Sequence, residues 1–292
     1  MRIFVTGGTG FIGRHLLDKF ECHDLLCLTR SPSQTLNRER VRWINADLHD
    51  FSRVSFELKE FEPDVAIHLA WQGLPDYSDA VCDANIQISL SFLRALANTN
   101  VKRIVVAGSC FEYGSLAGEM FETSKVEANS RFAEAKLHIF DEFNHVSKTK
   151  NIELVWSRIF YSFGPGQRSS SLIPTTCRAL FAGEIPNIKV PGASHDFVFI
   201  DDVATALFRL TISDSVSGIF NIGSGRTYSV AELVNMIARN CNLDFRINNG
   251  EVSQGTWASL LKIKRYTGWE PKYTLQQGVA ETLKALKKNS DK

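Results

Sequence analysis

Residues 1–20, MRIFVTGGTGFIGRHLLDKF, hold the segment on which the fold turns. Met1–Val5 is an apolar run of strand length, Thr6–Gly13 carries spaced glycines, and Arg14–Phe20 has helical periodicity. A strand, a glycine turn and an amphipathic helix in that order form the physical design of a dinucleotide pyrophosphate site. Gly7 permits the tight turn, Gly10 lets the backbone approach phosphate oxygens, and Gly13 lets the helix pack close to the strand. The helix start offers unpaired N–H groups and the positive end of its dipole to the anion. The spacing is G-x-x-G-x-x-G rather than G-x-G-x-x-G.

Outward from this turn, strand-like runs alternate with helical patterns. The strands are Arg2–Val5, Leu25–Thr29, Val41–Asn45, Val65–Leu69, Ile104–Ala107 and Leu154–Ser157; the helices are Gly13–Phe20, Val54–Lys59, Asp83–Asn98 and Asn129–Lys148. The alternation predicts an α/β fold, a Rossmann-type doubly wound parallel sheet, with ligands bound beyond the carboxyl ends of the strands. After Ser157, Gly164-Pro-Gly166, Gly183–Pro186 and Pro191-Gly192 break the chain into short elements, as in a smaller mixed α/β C-terminal lobe. Phe197–Ile200 and Phe220–Ile222 read as strands, and Val230–Asn240 as a helix. The predicted division is a dinucleotide-binding domain over 1–160, with a return segment near 197–222, and a substrate lobe over 161–292.

The chain has 292 residues, 44% of them hydrophobic, enough for a sizeable core. Lys+Arg 33 against Asp+Glu 32 leaves almost no net charge and argues against a nucleic-acid surface. No apolar run has the length to span a bilayer, and the N-terminal strand leaves no room for a signal peptide. The six cysteines lack metal-type spacing and read as reduced thiols, so no metal site and a cytoplasmic location are expected.

In NAD-binding sheets of this type an Asp or Glu closes the second strand and holds the ribose hydroxyls. Leu25–Thr29 instead runs into Arg30-Ser31, with no carboxylate at that strand end. Arg30 and Ser31 therefore predict NADP, with NAD as the alternative.

TGGTGFIG resembles the short-chain dehydrogenase/reductase superfamily, and specifically its extended branch. Further along, His68-Leu-Ala-Trp71 resembles that branch's H-x-A-A/G turn, and Asp47-Leu48 its adenine-binding pair, although Asp47 also suits a helix cap. Phe11, Ile12, Leu69, Ala70, Trp71, Asn85, Ala107 and Ile159 are the remaining cofactor contacts that the resemblance implies. Val105–Gly114, VVAGSCFEYG, resembles the segment carrying the catalytic Ser or Thr, which places Ser109 in that role. The branch's Y-x-x-x-K motif puts on one helix face an acid/base Tyr and a Lys that lowers its pKa and binds the nicotinamide ribose, which makes Lys136 a catalytic and cofactor-binding residue by resemblance. Here the aligned residues are Phe132-Ala-Glu-Ala-Lys136, so the lysine is present and the tyrosine hydroxyl is not. Three readings stay open: a deliberate Tyr-to-Phe replacement, a noncatalytic cofactor-binding relative, or another donor among Glu112, Cys110, Tyr161 and water.

Arg158–Pro165, Phe197–Val203, Asn221–Gly225 and Gly268–Pro271 resemble further signatures of the branch in the right order. The resemblance implies a nucleotide-diphosphate sugar as substrate, with Ser109, Cys110, Phe111, Tyr161 and His195 against it. Tyr161 stands where the branch has Asn, and His195 where it has Arg. Cys110-Phe111 cannot replace the Asp-Glu pair of a dehydratase. NADPH-dependent reduction of a 4-keto-6-deoxy sugar nucleotide is the expectation; 4-epimerisation with retained NAD and binding without catalysis are the alternatives. The resemblance also suggests a homodimer through the helices near 83–98 and 129–148. Ile86, Ile88, Leu90, Phe92, Leu93 and Leu96 give that first helix more apolar surface than one core face requires.

Overall fold

The computed structural model describes residues 1–31 and 38–290. The first half runs β1 (Arg2–Thr6), α1 (Phe11–Leu17), β2 (Asp24–Thr29), β3 (Val41–Asn45), α2 (Phe51–Phe61), β4 (Val65–His68), α3 (Asp79–Leu96) and β5 (Arg103–Ser109). A 3₁₀ turn over Cys110–Tyr113 leads to β6 (Gly118–Met120), α4 (Arg131–Lys150) and β7 (Glu153–Ile159). The second half holds β8 (Tyr161–Phe163), α5 (Leu172–Phe181), β9 (Ser194–His195), β10 (Phe197–Phe199), α6 (Ile200–Ile212) and β11 (Gly218–Ile222). It ends with β12 (Tyr228–Ser229), α7 (Val230–Asn240), β13 (Thr256–Ala258), α8 (Leu261–Thr267) and α9 (Leu275–Ser290).

Seven parallel strands form the main sheet in the order β11-β7-β5-β4-β1-β2-β3. From β1 the chain steps outward to β2 and β3, then returns to place β4 on β1's other side. The strand order therefore reverses at β1, where Thr6 lies in register with Leu28 of β2 and His68 of β4. The crevice at such a reversal is where an open parallel sheet binds ligands. Both faces of the sheet are covered, which is why its strands read as continuous apolar runs. Ile3, Val5, Leu25 and Cys27 pack toward α1 and α6, while Phe4, Leu26 and Leu28 pack toward α2, α3 and α4. α6 and β11 return to this sheet, β11 pairing with β7.

The remaining strands form a pair, β10 with β8, and a four-stranded sheet, β12-β9-β13-β6. Asp196, between β9 and β10, is fully buried. It accepts hydrogen bonds from Ser224 N and Oγ, Gly225 N and Ala258 N at 2.6–3.1 Å, tying three segments of the second half together.

Several expectations shift here. Helix α1 begins at Phe11, inside the predicted glycine turn, and α2 and α3 start three and four residues before the predicted bounds. The cap of α2 is Asp50, which accepts from Arg53 N, and not Asp47, which accepts from His49 N. Of the apolar α3 residues that suggested a dimer, Ile86, Ile88, Phe92, Leu93 and Leu96 are buried inside the chain and Leu90 partly so. Two inner contacts, the sheet and α4, consume the surface that seemed in excess, so that argument for an interface is gone. Among the described residues no helix is long and apolar enough to cross a membrane, and no His/Cys/Asp/Glu group could hold a metal. All six cysteines are free.

Candidate active site

The crevice opens beside the glycine turn. Gly7 has φ +75°, and a Cβ there would lie 2.8 Å from Ala70 N and Leu69 C. A Cβ on Gly13 would lie 2.1 Å from Gly7 O. The turn between β1 and α1 can therefore close against the β4 end only with glycine at both positions. Gly7, Gly10, Leu48, Leu69, Ala70 and Trp71 line a cavity that continues past Phe11, Ile12 and Gly13 into a larger one of about 500 Å³. The Trp71 indole N–H is buried there with no hydrogen-bond partner among the described residues. A backbone cradle that excludes side chains and an orphaned donor at its rim both fit a dinucleotide.

Arg30 lies at the end of β2, half-exposed, its Nη1 donating to Gln72 Oε1 at 2.8 Å. Asp47 Oδ2 stands 3.9 Å from the same Nη1. The sequence showed no carboxylate at the β2 end, but parallel pairing of β2 with β3 brings one alongside. Ser31 is folded back on its own strand, its N–H donating to Thr29 Oγ1 at 3.0 Å. Arg14 and Arg168, not singled out in the sequence, also line the larger cavity.

Asn85 spends its amide on protein. Its Oδ1 accepts from Gln72 N at 2.8 Å, and its Nδ2 donates to Gln72 O and Val81 O. It holds the turn after β4 rather than facing the crevice. His68 is likewise structural, linking Thr6 Oγ1 at 2.8 Å and Ser89 Oγ at 3.1 Å. Burial, with the nearby Lys136 charge, lowers its pKa to about 3. Ile159 ends β7 inside the core, and Ala107 meets the site through its carbonyl.

At the inner end of the crevice β5 delivers Ser109 and α4 delivers Phe132 and Lys136. The spacing of four puts the latter two on one helix face. Lys136 is 8% exposed; its Nζ donates to Ala107 O at 2.8 Å and lies 4.4 Å from the centre of the Trp71 ring and 5.8 Å from that of Phe132. Burial lowers its pKa to about 8, partly offset by the charge of Glu112. Phe132 sits edge-on against Trp71, Tyr77 and Phe111, with ring centres 4.8, 5.1 and 5.9 Å away. Tyr77, on the loop before α3, was not found from the sequence because only the fold brings it to Phe132. Ser109 Oγ accepts from Phe111 N at 3.2 Å.

Glu112 belongs to the scaffold. It is fully buried and accepts from Ser109 N at 2.8 Å, Arg158 Nε at 2.7 Å and Trp156 Nε1 at 3.0 and 3.1 Å. A carboxylate whose oxygens are taken by a guanidinium and two N–H donors is committed to holding the scaffold. Cys110, Phe111, Tyr161 and His195 wall a separate cleft of about 300 Å³ against the small lobe. Tyr161 and His195 stack with ring centres 4.1 Å apart. Burial raises the Cys110 thiol and Tyr161 phenol pKa values and lowers that of His195.

Residues 3–223 match the NAD dependent epimerase/dehydratase family. UDP-glucuronic acid decarboxylase 2 of Arabidopsis thaliana is 26% identical over 308 residues, covering 96% of this chain and 66% of that protein. The dTDP-6-deoxy-L-talose 4-dehydrogenase (NAD(+)) of Aggregatibacter actinomycetemcomitans is 25% identical, covering 84% of this chain and 93% of its own length. The solved UDP-glucuronic acid 4-epimerase of Bacillus cereus, in complex with UDP-glucuronic acid and NAD, has a TM-score of 0.87 at 22% identity, covering 99% of this chain and 100% of that one. That last likeness is one of fold.

Proposed function

The chain belongs to the NAD dependent epimerase/dehydratase family, and from that premise we propose that it uses NADPH to reduce the 4-keto group of a 4-keto-6-deoxy nucleotide-diphosphate sugar. The observation that carries this reading is Phe132 beside a buried Lys136. Phenylalanine at position 132 offers no phenol to carry the proton, so in either direction of hydride transfer another group must handle it. Reduction starts from a carbonyl and needs only a proton donor and a hydrogen bond to the developing oxyanion. The site supports that half of the chemistry.

A reduced nicotinamide, when bound, supplies the hydride. The Gly7–Gly13 turn, Leu48 and Leu69–Trp71 hold the dinucleotide, and Arg30 takes the 2′-phosphate. The Ser109 hydroxyl donates to the substrate carbonyl. Phe111, Tyr161 and His195 form an aromatic wall against the sugar, where a C6 methyl packs more readily than a carboxylate. Asp47 beside Arg30 favours a second reading, a 4-epimerase with retained NAD, because a carboxylate there suits ribose hydroxyls.

Mixing the chain with NADPH and a panel of 4-keto-6-deoxy nucleotide sugars decides between them. Reduction shows as loss of reduced-nicotinamide absorbance with a C4 alcohol as product. Interconversion of C4 epimers without net cofactor consumption replaces the reductase by the epimerase. Tight NADPH binding with neither product leaves a noncatalytic binder.

A further inference from the structure

We propose that Lys136 is itself the proton donor of this site, its ammonium taking the part of the hydroxyl that Phe132 lacks. This rests on the reductase reading. Among the described residues Nζ makes one hydrogen bond, to Ala107 O, and otherwise meets the ring faces of Trp71 and Phe132. Aromatic faces hold a cation in place without consuming its N–H bonds, so protons remain available to a carbonyl oxygen. Ala107 and Ser109 lie two apart on β5, on the same face, roughly 7 Å along the strand. Both are partly exposed there, and the Ala107 carbonyl is the one that Lys136 binds.

The alternatives within reach are taken or poorly suited. Glu112 is locked to Arg158, and burial raises both the Cys110 thiol and the Tyr161 phenol. The groups facing Lys136 are Glu112 from the 3₁₀ turn and His68 from β4. The charge of Glu112 offsets only part of the ammonium's lost hydration, and His68, uncharged near neutral pH, adds nothing to that offset. Burial lowers the Lys136 pKa to about 8 and makes its proton releasable near neutral pH.

The transfer balances simply. One N–H bond of Lys136 breaks and one O–H bond forms on the substrate oxygen as the carbonyl carbon gains hydride from a reduced nicotinamide dinucleotide. The nicotinamide is oxidised, the ketone becomes an alcohol, and the neutral amine regains its proton from solvent.

Two readouts test this. Without cofactor or substrate, Trp71 emission (unmodified chain minus Trp71→Phe) is titrated from about pH 6 to about pH 10, a range that brackets the lysine. A midpoint near 8 is expected, absent in Lys136→Arg because guanidinium stays charged. With NADPH and a 4-keto sugar nucleotide, turnover should fall as pH rises through the same midpoint. Lys136→Arg should lose roughly 10²–10⁴-fold in kcat while NADPH affinity stays within about tenfold. An arginine variant that turns over with the unmodified pH profile overturns the assignment. So does Tyr77→Phe losing turnover while Lys136→Arg keeps it, which hands the role to Tyr77. If Phe132→Tyr turns over and the unmodified chain does not, the substrate reading stands and the Lys136 assignment alone falls. If neither does on any 4-keto sugar nucleotide, the substrate reading fails and the assignment falls with it.

Discussion

Replacing Glu112 with glutamine separates scaffold from chemistry at this site. The carboxylate is fully buried, and Arg158, which it pairs with at 2.7 Å, is 2% exposed. Glutamine keeps the shape but removes the charge, and one of its two terminal atoms becomes a donor facing donors. Trp156 Nε1, Ser109 N and Arg158 Nε then compete for a single oxygen. Water has little room to help, since even a Cβ on Gly108 would lie 2.3 Å from Trp156 Nε1 and 2.7 Å from Glu112 Oε1. Breaking a buried pair by removing one partner costs about 3–5 kcal/mol. At about 2–4 °C per kcal/mol for a chain approaching this size, the Tm should drop by roughly 6–20 °C. Thermal unfolding followed by circular dichroism reads this directly. A second variant, Glu112→Leu with Arg158→Met, should recover much of the loss because neither charge is then stranded. If Glu112→Gln melts within about 2 °C of the unmodified chain yet loses turnover, Glu112 is a reacting group and the scaffold argument is wrong.

Arg30→Ala should weaken NADP binding by roughly 1.5–3 kcal/mol, the worth of a charge-assisted contact, and leave NAD nearly unchanged. Calorimetric titration showing NAD bound as tightly as NADP by the unmodified chain would contradict it. Lys136→Met should raise thermal stability at neutral pH while abolishing turnover. The lysine's folded pKa of about 8 lies below its ordinary 10.5, so in that window the unfolded chain holds the extra proton. Stability should therefore rise with pH from 8 towards 10.5 in the unmodified chain, a slope that Lys136→Met flattens. Equal slopes in urea unfolding across that range would show that Lys136 is not desolvated.

The glycine turn was legible because its chemistry is local. Gly7 and Gly13 are demanded by atoms within a few residues or on the neighbouring strand, and the strand-turn-helix order announces both. Lys136 and Phe132 were legible for a similar reason, four residues apart on one helix. The roles that changed are those set by distant partners. Asn85 was expected at the cofactor, but its amide closes on Gln72, thirteen residues back. Asp47 reaches Arg30 only because β2 and β3 pair with Thr29 opposite Asn45. The surplus apolar surface of α3 was an illusion of helical periodicity. A helix wedged between a sheet and a second helix buries two stripes, and a sequence cannot say what covers the second.

Two buried charges frame the active site, and their difference bears on what the chain does. Glu112 is compensated by Arg158 and by two further donors, so its burial is explained by packing and hydrogen bonds alone. Lys136 has one carbonyl and two aromatic faces, and no carboxylate within ion-pair distance among the described residues. A buried ammonium so poorly compensated destabilises the fold, and methionine would fill the same space without that cost. Trp71 and Phe132 offset part of the cost through cation–π attraction, and in doing so leave the N–H bonds unspent. A purely structural lysine would be expected to bind more oxygens. A site kept only for cofactor binding could use an arginine, whose charge does not depend on pH. An ammonium desolvated enough to give up its proton near neutral pH has the physical profile of an acid in use. On this argument Phe132 changes which group carries the proton, whichever way the hydride moves.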